Sequence, residues 1–251
     1  MNDEPYLLDP THWDWAVTGS IPHLLLAHLG YTASAVLVGF VIAFPIGLYI
    51  GHTGKGSFIA INAGNAGRSL PTLGLLSLLV VLMSIGFLPI LIALVVLVIP
   101  PILTSTYAGL RSVDRNAVDA AKGMGMSPAQ VLFRVELPMA LPVVFGGVRA
   151  AVLQVVATAT VAAYVAGSGL GRLLVDGLAL NDYGRMVAGA VVVAVLAIVL
   201  DLVLGLVQRY VVSPGITGRG LARARRTGSV AESPAEPDTE LIGAGTSKGT
   251  S

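Results

Sequence analysis

Long apolar runs that carry almost no charge constrain this chain more than any other feature of its sequence. A helix crosses the hydrocarbon core of a bilayer with roughly 20 mostly apolar residues. Charged residues make up 12% of the chain, whereas a soluble domain carries about 25%. The sequence therefore predicts an all-α integral membrane protein. Four runs meet or nearly meet the spanning length, at residues 24–51, 86–110, 141–166 and 186–212.

A fifth, shorter span is predicted at residues 69–84. It begins at Pro71, because proline suits the first turn of a helix, where its missing N–H costs nothing. Residues 58–67 form either a small-residue stretch at the membrane interface or an extension of this span. We expect five spans, or six if residues 58–67 belong to a separate crossing.

The distribution of Lys and Arg predicts the orientation of the chain. With five spans, one set of loops, together with the start of the C-terminal tail, carries eleven basic residues, and the opposite set carries only Arg172 and Arg185. Under the positive-inside rule this places the N-terminus outside and the C-terminus inside. The eleven are Lys55, Arg68, Arg111, Arg115, Lys122, Arg134, Arg209, Arg219, Arg223, Arg225 and Arg226.

Three regions are expected along the chain. Residues 1–23 form an external N-terminal segment, which has acidic residues but no Lys or Arg and so is not expected to be a cleavable signal. Its Trp13 and Trp15 suit the headgroup layer, or else a contact with an external partner. Residues 24–213 form the transmembrane domain. Residues 214–251 are small, polar and charged, which predicts a disordered cytoplasmic tail.

The long inner loop, residues 111–142, is the most informative stretch. Asp114 is a good N-cap for a first short helix over residues 116–124. Gly125 suits the left-handed position that ends such a helix. Ala117, Ala120 and Ala121 give this helix a low-profile face, which another protein could approach closely.

A second short helix is predicted directly after the first. Ser127 is placed to cap it, Pro128 occupies its first position, and Gln130 can close a capping box. Pro138 and Pro142 then mark the return of the chain towards the bilayer.

The loop contains Asp119-Ala120-Ala121, then Gly125 after three residues, and Val135-Glu136-Leu137-Pro138 after nine more. This pattern resembles the EAA loop of type I ABC importer permeases, which is Glu-Ala-Ala, three residues, Gly, nine residues, Ile-x-Leu-Pro. Asp119 replaces the Glu and Val135 replaces the Ile. The resemblance implies that the following residues couple the chain to an ATPase: Asp119, Ala120, Ala121, Gly123, Gly125 and Pro138.

Other stretches look like the branch of that family that imports quaternary amines such as glycine betaine, carnitine and choline. They are residues 100–109, 123–126 and 136–142. A glycine-rich outer turn with Gly167, Gly169 and Gly171 is similar to one found there and in methionine importer permeases. The implied fold is the methionine-importer-like transmembrane domain of type I ABC importers. Methionine or another amino acid is the alternative substrate.

The resemblance also implies the partners. The chain would pair with a second permease copy or a paralogue, two cytoplasmic ABC ATPases and an external binding protein, within membrane lipids and without nucleic acid. ATP and Mg²⁺ would be held by the ATPase, and no cofactor, metal or catalytic residue is expected on this chain. Gly54-Lys55-Gly56-Ser57 does not fit a P-loop, because Gly56 stands where Ser or Thr is required.

Arg149 and Asp201 are ionisable residues inside otherwise apolar spans, which makes them functional candidates. Both lie roughly 16 Å from the inner helix ends at 1.5 Å per residue. Equal depth permits pairing; a place in an inner vestibule or in a ligand site are the alternatives. With Gly167, Gly169 and Gly171 they are the candidate gate or pathway residues. A secondary carrier or channel is the competing class, but such proteins usually have more intramembrane charges or inverted repeats.

Overall fold

The computed structural model describes residues 6–165 and 168–211, which form nine α-helices, a short 3₁₀ helix at Pro10–Trp13 and one π-helical segment at Leu132–Glu136. The π-helical segment joins two of the α-helices, so that Pro128–Ala162 is one continuous helical rod of 35 residues. The α-helices are α1 (Ile21–Thr53), α2 (Ser57–Ser69), α3 (Thr72–Met83), α4 (Phe87–Arg111), α5 (Arg115–Gly123), α6 (Pro128–Val131), α7 (Leu137–Ala162), α8 (Gly171–Leu180) and α9 (Tyr183–Val211).

Four of these helical stretches are long and apolar enough to cross a membrane: α1, α4, the rod and α9. Helix α3 has 12 residues, or about 18 Å at 1.5 Å per residue, which is too short for a hydrocarbon core of about 30 Å. Helices α2 and α3, bent by 93° at the break between them, are apolar enough together to supply a fifth crossing if the pair is one broken span and not a re-entrant loop. The described residues thus contain four or five crossings, which agrees with the prediction of five.

The start of the short span differs from the prediction. Pro71 stands just before α3 as its N-cap and not in its first turn. The residue before a proline is disfavoured in the α region, and Leu70 is accordingly extended, with a ψ of 122°. The chain therefore breaks here, and residues 58–67 form part of the separate helix α2, which packs against α4.

A seam of small residues packs α1 against α4, the helix at the centre of the bundle. Helix α4 also contacts α2, α3 and α7. Small residues let membrane helices approach closely, so that van der Waals contacts replace a hydrophobic driving force that lipid does not supply. The seam places a small, buried residue at every fourth position of α1: Ala35, Gly39, Ala43, Gly47 and Gly51.

The second short helix predicted in the inner loop is not separate from the span that follows, because the prolines do not end it. The helix continues through Pro138 and Pro142 into the membrane as α7. Proline in a helix interior lacks an N–H donor and clashes with the carbonyl four residues earlier. For Pro138 that carbonyl belongs to Arg134, which lies in the wider π-helical segment. The local change of helix type accommodates the proline without stopping the rod.

Two further features of the fold were not predicted from the sequence. The outer loop contains α8, which packs against α9, where the sequence predicts only a glycine-rich turn. Helix α9 itself buries few residues and presents a largely apolar surface, as a helix facing lipid does. The expected tail at residues 214–251 lies outside the described residues.

Substitution of Gly47 tests the α1–α4 seam. A Cβ at this position would lie 2.7 Å from the Cβ of Thr106 and 3.1 Å from the carbonyl oxygen of Leu103. We expect Gly47→Val to destabilise the purified protein by about 1–3 kcal/mol, as overpacking does. Thermal unfolding in detergent measures the loss.

Gly30 provides the matched control, because it lies on the same helix and a Cβ there would have nothing within 4 Å of it. Gly30→Val should unfold close to the wild-type temperature. Equal unfolding temperatures for the two variants would contradict the role assigned to the seam.

Candidate functional site

The two helices of the inner loop begin at the caps that the sequence predicts. The Asp114 carboxylate accepts a hydrogen bond from the backbone N–H of Asn116 at 2.9 Å and so starts α5. At α6, the Ser127 hydroxyl accepts from the Gln130 N–H at 3.4 Å, and the Gln130 side chain accepts from the Ser127 N–H at 2.8 Å. This reciprocal pair is the predicted capping box.

Gly125 ends α5 in the left-handed conformation, with a φ of +80°. The Gly125 N–H bonds the carbonyl of Lys122 at 2.9 Å, and the Met126 N–H bonds the carbonyl of Ala121 at 3.2 Å. These two bonds define a Schellman motif, which favours glycine at this position. The prediction for Gly125 is confirmed, and α5 is a short helix fixed at both ends.

The residues proposed to couple to an ATPase fall into two groups in the structure. Ala121 is only 2% exposed and faces inward, so its prediction as part of the low-profile face is wrong. Asp119, Ala120 and Gly123 are exposed. The side chain of Met124 adds an exposed apolar group beside them. We define the docking face as Asp119, Ala120, Gly123 and Met124. Pro138 lies elsewhere, at the start of α7.

A polar contact that the sequence analysis did not identify joins the inner end of α1 to the rod. His52 Nδ1 lies 2.5 Å from Glu136 Oε2, although the two residues are 84 positions apart. The Glu136 side chain is 11% exposed and that of His52 is 20% exposed. Sequence reasoning had no local signal for this pair, because the two residues meet only once α1 and the rod are packed together.

A cavity of about 450 Å³ lies between α2, α4 and α7. Small residues make room for it: Ala60, Gly64, Gly67, Ala108, Gly147 and Ala150. Four neutral polar side chains line it: Asn65, Thr104, Tyr107 and Gln154. None of the described lining residues is charged.

Arg149 and Asp201 form a two-pronged ion pair between α7 and α9, with the guanidinium Nε and Nη2 donating to the two carboxylate oxygens. Of the alternatives left open by the sequence, the structure shows the pairing that equal depth permits. A second contact joins the same two helices. Gln208, seven residues after Asp201, donates from Nε2 to the carbonyl of Pro142, seven residues before Arg149, at 3.1 Å. Neither Arg149 nor Asp201 lines the cavity described above, so the pair holds two helices together.

Comparison with known proteins places the chain in a family. The family profile for the "Binding-protein-dependent transport system inner membrane component" matches residues 35–213. The chain belongs to this family. It is therefore a permease, the membrane subunit of a transport system that works with binding-protein and ATPase partners, and it resides in the cell membrane. Permeases of this kind are transport subunits and not themselves enzymes.

Three relatives of the permease cover most of its length. It is 34% identical over 198 residues to the choline transport system permease protein OpuBB of Bacillus subtilis, covering 79% of this chain and 91% of the relative. It is 34% identical over 191 residues to the glycine betaine/carnitine/choline transport system permease protein OpuCB of the same organism, covering 76% and 88%. Over 214 residues it is 33% identical to the osmoprotectant import permease protein OsmW of Salmonella typhimurium, covering 83% and 100%.

Solved structures confirm the fold of the permease. A chain of the inward-facing MetNI methionine ABC transporter superposes with a TM-score of 0.67 at 23% identity, covering 82% of this chain and 99% of that one. A second crystal form of that transporter gives 0.66 at 24% identity, with 75% and 94% covered. The expected methionine-importer-like transmembrane fold is thus confirmed.

The outer glycine turn of the permease is tightly packed. Gly169 has a φ of +99°, and a Cβ there would lie 3.1 Å from His28 Nδ1. A Cβ on Gly171 would meet the carbonyl of Thr160 and lie 2.7 Å from the Cβ of Ala163. Gly167 lies outside the described residues. Close packing explains two of the three glycines, and a gating role for the turn stays a prediction.

The described part of the N-terminal segment packs against this region. Tyr6 packs against the apolar cluster that contains Leu170 and Leu173, and burial raises the pKa of its phenol. Nearby, Asp176 accepts from Arg172 at 2.7 Å and from Arg185 at 2.9 Å. Both basic residues assigned to the outer loops are thus engaged by one carboxylate.

Removing one partner of the Arg149–Asp201 pair should harm the permease more than removing both. Arg149→Leu and Asp201→Asn should each lower the amount of folded permease in the membrane, because each leaves a charge without its partner at intramembrane depth. The double variant Arg149→Leu/Asp201→Leu should recover much of the loss. Quantitative immunoblots of membranes and thermal unfolding measure this, and normal levels of both single variants would contradict it.

Proposed function

We propose that this permease forms the membrane pathway of an ATP-driven importer for an osmoprotectant of the quaternary-amine type, such as glycine betaine, choline or carnitine, or for proline. The observation that carries the proposal is the identity of 33–34% to three permeases that act on choline, glycine betaine, carnitine or osmoprotectants, over 76–83% of this chain. The likeness to a methionine transporter, at 23–24% identity, supports the shared fold and does not favour methionine as the substrate.

The docking face on α5 is the surface through which a partner ATPase acts on the permease. A short helix capped at both ends moves as a unit, whereas a flexible loop would dissipate the motion of its partner. The exposed Ala120 and Gly123 leave room for close approach, and Met124 offers an adaptable apolar contact. ATP and Mg²⁺ are held by the ATPase, and closure of the ATPase dimer displaces α5.

The helical rod carries this displacement into the membrane. Helix α5 contacts α6 and the π-helical segment, and the same rod continues as α7, which lines the cavity with Gly147 and Gln154. From Val131 to Gly147 the rod extends about 24 Å at 1.5 Å per residue. A push on α5 therefore reaches the cavity through one continuous element.

The cavity is the part of the pathway that this chain contributes. A quaternary ammonium group cannot donate a hydrogen bond, and a buried carboxylate beside it would hold it strongly in place. The uncharged lining, with its polar Asn65, Thr104, Tyr107 and Gln154, neither traps nor repels such a group. Selection then belongs to the external binding protein, where an aromatic cage can recognise the cation.

The assembly we propose has two permeases, identical or paralogous, and two ATPases. The N-terminus lies outside and the C-terminus inside, which is supported by the asymmetric distribution of Lys and Arg. In this orientation α5 and the docking face lie in the cytoplasm with the ATPases, and α8 faces the binding protein.

The docking face can be tested with one exposed alanine. Ala120→Arg places a long charged side chain where close approach is required, so we expect the ATPase to be lost when the permease is purified from membranes. Ala179 is also exposed, on α8 at the opposite end of the bundle, and Ala179→Arg is the control that should retain the ATPase. Retention by both variants would contradict the assignment of the docking face. Ala121→Glu is less informative, because Ala121 is buried.

Uptake by the reconstituted complex tests the function itself. Proteoliposomes containing the permease, its ATPase and its binding protein should accumulate radiolabelled glycine betaine or choline only with ATP, and not methionine. Ala150→Phe fills the cavity from an exposed position on α7 and should reduce uptake roughly tenfold or more, equivalent to about 1.4 kcal/mol in the transport barrier.

The control for the cavity variant is Ala194→Phe, the same substitution at an exposed position of α9. It adds the same volume outside the cavity and should leave uptake near the wild-type rate. Uptake without ATP would argue for a secondary carrier, and accumulation of methionine alone would overturn the proposed substrate class. Equal rates for the two phenylalanine variants would remove the cavity from the pathway.

A further inference from the structure

We infer that the His52–Glu136 pair is the contact through which the inner loop moves α1. The pair would make α1 and the rod move together during the transport cycle. The inference rests on the proposed function, since it concerns how the displacement of α5 by the ATPase reaches the membrane helices. His52 and Glu136 act as positioning residues, because neither lines the cavity or belongs to the docking face.

The location of Glu136 favours this role. It is the last residue of the π-helical segment, in which the Leu137 N–H bonds the carbonyl of Leu132, five residues earlier. Short π-helical turns inside α-helices occur frequently at functional sites. Glu136 therefore marks the point where the part of the rod attached to the docking helix α5 passes into the membrane-spanning part.

His52 occupies the corresponding point on α1. It lies one residue before the end of that helix, and α1 ends at Gly54 with a φ of +72°. One position earlier, Gly51 packs so closely on α4 that a Cβ there would lie 2.8 Å from the Cβ of Leu110. The inner end of α1 is thus held against α4, and the bond from His52 to Glu136 also attaches it to the rod.

Apolar side chains also pack together at this junction. Leu48 of α1, Leu110 of α4 and Ala140 of α7 belong to one buried cluster, against which Val118 of α5 and Leu132 also pack. Apolar contacts are non-directional, and small sliding of packed helices can preserve them. A short hydrogen bond from an imidazole to a carboxylate is directional and fixes the relative position of the two helices.

The burial of Glu136 gives the contact its strength. Its side chain is 11% exposed, and a buried carboxylate that loses its partner is strongly disfavoured. An ionised carboxylate only accepts hydrogen bonds, so Nδ1 of His52 donates to Glu136 when the carboxylate is charged. Any movement of the rod that left α1 behind would have to break this bond and leave the carboxylate unpaired.

Two amide substitutions of His52 separate positioning from polarity. The side-chain amide of Asn reaches about as far as Nδ1 of His, whereas the amide of Gln extends to the level of Nε2. His52→Asn can keep the bond to Glu136, and His52→Gln misplaces the donor. Both variants introduce a neutral amide, which makes them a matched pair for folding and membrane insertion.

The first readout is the number of ATP molecules hydrolysed per molecule of radiolabelled glycine betaine imported by the reconstituted complex. We expect His52→Gln to raise this ratio at least about fivefold, the lower end of typical coupling between sites, and His52→Asn to stay near wild type. Thr53→Ala, an exposed neighbour on the same turn, should have no effect. A role in folding alone would change protein yield and leave the ratio unchanged.

The second readout does not depend on the transported compound. The chain has no cysteine, so Thr53→Cys and Ala129→Cys introduce sites for spin labels at exposed positions on α1 and α6. In the complex with its ATPase, the distance between the labels should stay constant on ATP binding when residue 52 is the wild-type His or is replaced by Asn. The distance should change in the His52→Gln variant.

These measurements distinguish failure of this inference from failure of the proposed function. If the wild-type complex does not import glycine betaine, the proposed substrate is wrong, and the label distances still decide the role of the pair. Equal behaviour of the two amide variants in the label experiment, whether both resemble wild type or both differ from it, would overturn the inference.

Discussion

The absence of water from the hydrocarbon core is the constraint on which this structure depends. Backbone groups must be satisfied within each spanning segment, and helices cannot gain stability by hiding apolar surface from lipid that is equally apolar. Close contact has to supply the attraction instead. The seam from Ala35 to Gly51 along α1 meets this requirement, because every fourth residue is small and buried against α4. Once α1 and α4 are fixed, α7 packs on both, and the cavity lies beside this three-helix centre.

The need to satisfy backbone hydrogen bonds within the helix also explains how the rod continues from the inner loop into the membrane without a break. A proline inside a membrane helix leaves a carbonyl without its donor, and Pro138 and Pro142 follow each other closely in the rod. The π-helical segment at Leu132–Glu136 changes the hydrogen-bond register just before Pro138, so the rod continues. It also brings Glu136 to the position where it meets His52. A local adjustment for a proline thus creates the place for a long-range polar contact.

Features set by neighbouring residues were predictable from the sequence, and features set by distant ones mostly were not. Asp114, Gly125 and the Ser127–Gln130 box act within a few residues of chain, so their spacing was sufficient to place them. The inward direction of Ala121 depends on what packs beneath α5, which the spacing of the motif does not encode. Glu136 and His52 are 84 residues apart, and only the packed bundle brings them together. Arg149 and Asp201 are the exception, because equal depth in two apolar spans was itself a long-range signal.

Charged and neutral polar side chains occupy different parts of the permease. In the described transmembrane region several side-chain hydrogen bonds join helices distant in sequence: Arg149 with Asp201, Gln208 with Pro142, His52 with Glu136 and His28 with Val156. The described lining of the cavity has hydroxyl and amide groups but no charge. Charge is costly in the membrane and strong when paired, which suits it to hold helices in register. In the pathway that we propose, a charged group would instead bind a cationic or zwitterionic cargo firmly and slow its release, so a neutral lining inside a bundle held by charged contacts suits a transporter of such cargo.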